Sequence, residues 1–241
     1  MICAVIGSTK IAEVHIHELV KNKVKEIFII SRSKNKREKL LKKIKLRYLN
    51  KKIKFKTNNI EILKRKKFDL VNICSSNHVH HKHLKYLIHK KTKIIVEKPI
   101  VSLLSLKDKY KEFLDEIYSF NKKIIVCYPL GYMAKSIKKI KGIPKRIKKI
   151  NFIFKAKGKY SHKHILINLM PHALSFIDQF YRIKKNKKDF ENLKVKFQKN
   201  SCIIRFFYCG ILFNILLSER KNQKTSLLIK LNKFIIKRYT K

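Results

Sequence analysis

Hydroxyl, amide, carboxylate and ammonium groups are gathered in two tripeptides, Ser75-Ser76-Asn77 and Glu97-Lys98-Pro99, separated by enough chain for one helix and one strand. Each follows a short β-branched apolar run, Leu70 to Cys74 and Ile94 to Val96, of the kind that forms a strand buried on both faces of a parallel sheet. In an open α/β sheet the ligand crevice lies outside the carboxyl ends of the strands, so both tripeptides face the same place. The Ser and Asn side chains can accept hydrogen bonds from the free N–H groups of a helix starting near His78. An ammonium such as that of Lys98, desolvated near another cation, can reach a pKa low enough for acid–base work.

Two further groups carry the chemistry of phosphate binding. Gly7-Ser8-Thr9-Lys10-Ile11-Ala12 follows the apolar run Ile2 to Ile6 and resembles the glycine-rich dinucleotide fingerprint of a strand-to-helix turn. Gly7 supplies the tight turn and Ala12 the close helix packing. Thr9 stands where a second glycine normally lets the backbone approach a pyrophosphate, so its side chain either narrows the site or offers a hydroxyl to a phosphate oxygen. The second run, Glu26 to Ile30, ends in Ser31-Arg32-Ser33, where an NAD-specific site carries an acidic residue for the ribose hydroxyls. Ser and Arg instead suit a 2′-phosphate. The cofactor is therefore read as NADP or NAD with NADP favoured, against the plainer reading of one more Arg in a basic chain.

These groups need a framework. The sequence predicts a helix with an apolar stripe at Leu84, Leu87 and Ile88, a charged helix from Lys36 to Leu49, an edge strand from Lys52 to Phe55, and a short element from Ile60 to Leu63. A helix from Leu103 to Phe120 and a strand from Ile124 to Tyr128 close a first domain. Beyond it, Arg146 to Lys155 reads as a strand and His164 to Tyr181 as a helix. Alternating runs from Leu193 to Phe197, Cys202 to Tyr208, Ile211 to Leu217, Ser226 to Leu231 and Phe234 to Tyr239 read as meandering antiparallel strands.

Asp69, Ser75-Ser76-Asn77, His80 and Glu97-Lys98-Pro99, at these spacings, resemble the Gfo/Idh/MocA family of nicotinamide-dependent oxidoreductases. The resemblance implies an N-terminal Rossmann domain over 1–128 and a shortened α+β substrate domain over 129–241 with a mostly antiparallel open sheet. It implies cofactor contacts from Gly7, Thr9, Lys10, Ile11, Ser31, Arg32, Ser75, Ser76, Asn77, His80, Glu97, Lys98 and Pro99. Lys98 is the implied proton donor or acceptor. Asn168-Leu169-Met170-Pro171-His172 resembles the family's second-domain helix, in which an Asp and a His four residues later face the nicotinamide; His172 matches and Asn168 replaces the Asp. Pro129-Leu130-Gly131 stands where the family has an Asn-Arg-like signal. The implied reaction moves a hydride between nicotinamide and a small carbonyl, alcohol or imine substrate. The alternative is a weakened member that binds a dinucleotide or ligand as a regulatory or partner subunit, and self-association would use the C-terminal sheet.

Composition sets the remaining bounds. The 241 residues are 45% hydrophobic, enough for a real core. Their 61 Lys and Arg against 15 Asp and Glu would suggest a nucleic-acid binder, but Lys is spread along the whole chain and no basic tail or recognition motif concentrates it. A whole-chain compositional drift accounts for it better, and no specific nucleic-acid partner is expected. No run of about 18 apolar residues is present and the N-terminus lacks signal-peptide features, so neither a membrane span nor export is expected and the address is read as cytoplasmic. The five cysteines lack CxxC spacing and read as reduced, buried small hydrophobes. The histidines at 78, 80, 81 and 83 share helical spacings without a Cys or carboxylate partner, and no metal site is assigned.

Overall fold

The computed structural model describes residues 1–102, 109–120, 123–160, 162–181 and 190–239. The chain divides into two units, Met1–Cys127 and Tyr128–Lys241.

In the first unit β1 (Ile2–Ile6), β2 (Glu26–Ile30), β3 (Lys54–Asn58), β4 (Leu70–Ile73), β5 (Lys93–Glu97) and β6 (Ile124–Cys127) form one sheet. Their order is β3-β2-β1-β4-β5-β6 and each pairing is parallel. This is the doubly wound Rossmann order, whose strand sequence reverses between β1 and β4. Side chains alternate across it. Cys3, Val5, Ile27 and Ile29 pack beneath α1 (Lys10–Lys21) and α2 (Lys34–Arg47), while Ala4, Ile6, Val71, Ile73, Ile94 and Val96 pack beneath α3 (Ile62–Arg65), α4 (His80–Leu87) and α5 (Tyr110–Ser119). Full burial of aliphatic side chains such as Ile27 and Ile29 stabilises the sheet by roughly 1.5–3 kcal/mol each. The basic helix α2 is anchored by its buried residues Leu40 and Ile44. It starts two residues before the expected Lys36, because the Ser33 side chain caps it by accepting the Lys36 N–H at 3.4 Å. Strand β3 lies later than the expected Lys52 to Phe55, its position set by in-register pairing of Glu26 with Lys54 through Ile30 with Asn58. The N-terminal part of the helix expected from Leu103 lies outside the described residues.

The second unit contains α6 (Pro129–Ile137), β7 (Lys149–Lys157), α7 (Lys163–Tyr181), β8 (Glu191–Gln198), β9 (Ser201–Tyr208), β10 (Ile211–Arg220), β11 (Ser226–Leu231) and β12 (Phe234–Tyr239). The sheet order is β12-β11-β7-β10-β9-β8, antiparallel except that β7 and β10 run parallel. One sheet face packs Ile150, Phe152, Ile204, Phe206, Phe213 and Ile215 against Leu130, Leu169, Ala173 and Phe176 of α6 and α7. Helix α6 was not expected from sequence. Proline at its first turn, with Leu130, Ala134 and Ile137 on one face, is the signal that was there to be read. The β9–β10 hairpin turns on Cys209 and Gly210, both with positive φ (51° and 72°), as a two-residue hairpin loop of the I′ type requires. Cys209 is therefore exposed, unlike the buried cysteine anticipated.

Candidate cofactor and catalytic site

The strand reversal between β1 and β4 opens a cleft of about 390 Å³ at their carboxyl ends. Gly7, Ser8 and Thr9 form one wall, Ser31, Arg32, Ser33 and Lys36 another, and Ser75, Ser76, Val79 and His83 a third. Gly7 makes this geometry possible. Its φ is +139°, and a Cβ there would lie 2.6 Å from the Cys74 carbonyl oxygen, so only glycine lets the β1 exit turn against the end of β4. Its N–H donates to the Ile30 carbonyl at 2.8 Å and ties the turn to β2. Thr9 occupies the N-cap of α1 with extended backbone, but its side chain makes no capping bond, so no hydroxyl competes with a ligand for the first N–H groups of α1. Lys10 and Ile11 open that helix and are exposed.

At the end of β2 the Ser31 and Ser8 hydroxyls stand 3.4 Å apart, and Arg37 Nη1 donates to the Ser31 carbonyl at 2.8 Å. Arg32 and Lys36 give the cleft its charge, and among the described residues that line it none is acidic. Across from them Ser75 Oγ and His83 Nδ1 share a hydrogen bond of 2.9 Å. Burial lowers the His83 pKa to about 4, with the neighbouring His80, Arg32 and His81 adding in the same direction, so His83 is neutral at pH 7. Ser8 and Ser33 lie within the motifs read from the sequence, whereas Lys36 and His83 were not assigned to this cleft. The capping serine at the start of a basic helix was a readable signal for Lys36.

His80 differs from the expectation of a ligand contact. It is 1% exposed, and its Nδ1 and Nε2 each lie 2.9 Å from a backbone carbonyl, of Pro99 and Ser75 respectively. The ring thus lies between the Ser75 turn and the Glu97-Lys98-Pro99 exit, donating to one carbonyl when neutral and to both when charged, and it acts on the cleft through the backbone. Burial lowers its pKa, outweighing the two carbonyls and Glu97, which favour the charged ring. Asp69 serves the fold as well: Oδ2 accepts the Ile2 N–H at 2.7 Å and pins the start of β1 beside β4. Asn77 begins a short 3-10 turn ahead of α4. Glu97 ends β5 with its carboxylate 2.8 Å from His15 Nε2 on α1, and Lys98 and Pro99 follow half-buried. Neither Glu97 nor Lys98 lines the 390 Å³ cleft.

In the second unit Asn168 and His172 lie one turn apart on α7, with Pro171 inside the helix. The His172 ring stands edge-on to Phe154 of β7 at 5.2 Å. Asn168 Nδ2 donates at 2.9 Å to Glu219 of β10, a carboxylate that is 4% exposed and also accepts the Tyr160 N–H at 3.2 Å. A Cβ on Gly158 would lie 1.8 Å from Glu219 Oε1, so that glycine leaves room for the carboxylate. Nothing in the sequence marked Glu219, whose partners are 51 and 59 residues away.

A parallel sheet with a glycine-turned, cation-lined cleft at its switch point defines the dinucleotide-binding class of Rossmann domains. The sequence model of the Gfo/Idh/MocA oxidoreductase family, described as an NAD-binding Rossmann fold, matches residues 1–126, and the chain belongs to that family. Among solved structures, myo-inositol 2-dehydrogenase from Lactobacillus plantarum is similar at a TM-score of 0.72 and 13% identity, over 99% of this chain and 76% of that one. Scyllo-inositol dehydrogenase from Lactobacillus casei, with bound NAD(H) and scyllo-inositol, gives 0.71 and 10% over 99% and 76%. Biliverdin reductase from Synechocystis, in complex with biliverdin and NADP+, gives 0.68 and 11% over 99% and 79%. At these identities the likeness is one of fold. Comparison with curated proteins returns no sequence match. Among the described residues no helix is long and apolar enough to cross a membrane.

Proposed function

We propose that the chain is an NADP-preferring oxidoreductase acting on a small carbonyl, alcohol or imine compound of the sugar, cyclitol or biosynthetic-intermediate kind. The observation that carries this reading is the cleft itself. A Cβ-free turn at Gly7, uncapped N–H groups at the start of α1 and a wall of Ser31, Arg32, Ser33 and Lys36 suit a dinucleotide with a 2′-phosphate. When bound, the nicotinamide supplies or accepts the hydride.

The chain's own groups then manage the proton and the geometry. Thr9, Lys10 and Ile11 present backbone donors to the pyrophosphate, and Ser75, Ser76 and Asn77 border the path toward the β5 exit. Lys98 Nζ gives its proton to the carbonyl oxygen or imine nitrogen as hydride reaches the adjacent carbon, and takes it back in the oxidative direction. His172, held by Phe154 and spaced one turn from Asn168, orients the substrate or assists that transfer. Self-association is proposed through the open face of the second sheet, where Ile203, Leu216, Ile153 and Leu228 are register partners across four adjacent strands.

The test is turnover of NADPH with a panel of sugars, cyclitols, ketones and cyclic imines. Lys98→Met is expected to lower kcat by about two to four powers of ten with NADPH affinity unchanged. Unchanged turnover in the variant would remove Lys98 from the mechanism. Tight NADPH binding without turnover of any panel member would favour the regulatory-subunit reading.

A further inference from the structure

We propose that His15, Glu97 and Cys127 form a binding site for a divalent transition ion of the zinc class. Glu97 and Cys127 are register partners at the carboxyl ends of β5 and β6. Adjacent parallel partners send their side chains to the same face. Since Ile94, Val96, Ile124 and Val126 belong to the face beneath α4 and α5, alternation turns Glu97 and Cys127 the other way, toward α1. Helix α1 there presents His15, flanked by Ala12 and Leu19, which fix that side of the helix against the sheet. Its Nε2 lies 2.8 Å from Glu97 Oε1, and the imidazole, carboxylate and thiol donor atoms all lie within 4.8 Å of one another.

That spacing is close to what an ion needs. Zinc holds N, O and S donors at about 2.0–2.3 Å, which sets tetrahedral donors roughly 3.3–3.8 Å apart. Side-chain shifts of about an ångström close the set, with the backbone already in register. One N, one O and one S donor match the borderline-soft preference of Zn²⁺ and leave a fourth position for water; calcium and magnesium would ask for oxygen donors throughout. The half-buried setting limits solvent screening, and a carboxylate with a thiolate cancels the double charge of the ion. The histidines of α4 are arranged differently, with His80 on two carbonyls and His83 on Ser75.

Binding displaces protons. His15 must offer the bare Nε2 lone pair, and Cys127 must bind as the thiolate. Burial and the Glu97 charge push the Cys127 thiol up to about 11, and burial with Glu97 and Cys127 raises the neighbouring Cys74 thiol too. The thiolate, not the thiol, is the ligand, so one thiol proton is released per ion bound.

The experiment is a titration of the reduced, metal-stripped full chain with Co²⁺ as a spectroscopic substitute, followed by displacement with Zn²⁺. The expected result is one equivalent bound with a thiolate-to-cobalt charge-transfer band, which Zn²⁺ abolishes. The band is expected to vanish in Cys127→Ser, to persist in the exposed control Cys209→Ser, and to need at least about tenfold more metal in His15→Gln. A band that survives in Cys127→Ser, or no equivalent bound at about 0.1 mM free ion, would overturn the proposal. Should Cys127→Ser fail to fold, Cys127→Ala is read against the same two outcomes. The readout does not depend on oxidoreductase turnover.

Discussion

Replacing Arg32 with Ala tests the proposed 2′-phosphate wall directly. Ser31, Arg32, Ser33 and Lys36 border the cleft, and among the described residues that line it no carboxylate competes for the guanidinium. A charge-assisted hydrogen bond to a phosphate contributes about 1.5–3 kcal/mol when desolvated. Arg32 is exposed, which places its contribution lower, at about 1–2 kcal/mol, or roughly five- to thirtyfold in dissociation constant. Lys36 remains in the variant and, as a point charge at the rim, retains about 0.5 kcal/mol of the preference. His83 adds no competing cation at neutral pH, because its pKa is lowered to about 4. The formal net charge of +46 favours any anionic dinucleotide, but at about 0.15 M salt this field is screened beyond roughly 8 Å. Fluorescence titration of NADPH and NADH should therefore show Arg32→Ala weakening NADPH five- to thirtyfold while NADH moves by less than about twofold. Equal weakening of both cofactors, or a wild type that binds NADH as tightly as NADPH, would refute the reasoning.

The structure also fixes three other outcomes. Gly7→Ala sets a Cβ 2.6 Å from the Cys74 carbonyl at a φ of +139°, so urea denaturation should show a loss of about 2–4 kcal/mol, together with loss of NADPH binding. For His83 the folded pKa of about 4 lies below the ordinary 6.5, so the unfolded chain takes the proton first; stability is full above pH 6.5 and is lost as pH falls toward 4. His83→Asn should lose up to about 3 kcal/mol less than wild type across that window, and parallel pH curves would remove His83 from the acid response. Asn168→Asp would set a second carboxylate where the amide now donates to Glu219 at 2.9 Å, so the variant should melt lower at neutral pH and recover in mild acid; a pH-independent difference in melting would count against the pairing.

Where local pattern and tertiary role coincide, the sequence was sufficient. Ile2–Ile6 and residues 27–30 are uninterrupted apolar runs because their strands are covered on both faces, and Ser226–Leu231 buries every second residue because its strand lies in a sheet covered on one. Gly7, Thr9, Ser31, Arg32, Ser75 and Ser76 meet in one cleft because each sits at the end of such a strand, where the Rossmann order leaves no other destination. The parallel pairing of β7 with β10 was hidden because register between partners 63 residues apart is a property of the sheet, not of either segment.

Side-chain roles failed to show for a related reason. A histidine beyond a Ser-Ser-Asn turn has the same composition whether it faces a ligand or two backbone carbonyls; the Pro99 and Ser75 oxygens decide, and they come from different strand ends. The charge at Asn168 is the sharper case. Reading that position alone, the acidic partner of the helix is missing and Asn168→Asp restores it. Glu219 already supplies a buried carboxylate from β10, in a space left by Gly158, so an added Asp creates repulsion where the sequence implied repair. A charge assigned to one residue by sequence is a property of the neighbourhood, and a substitution judged by residue type has the wrong sign when the partner arrives from another strand.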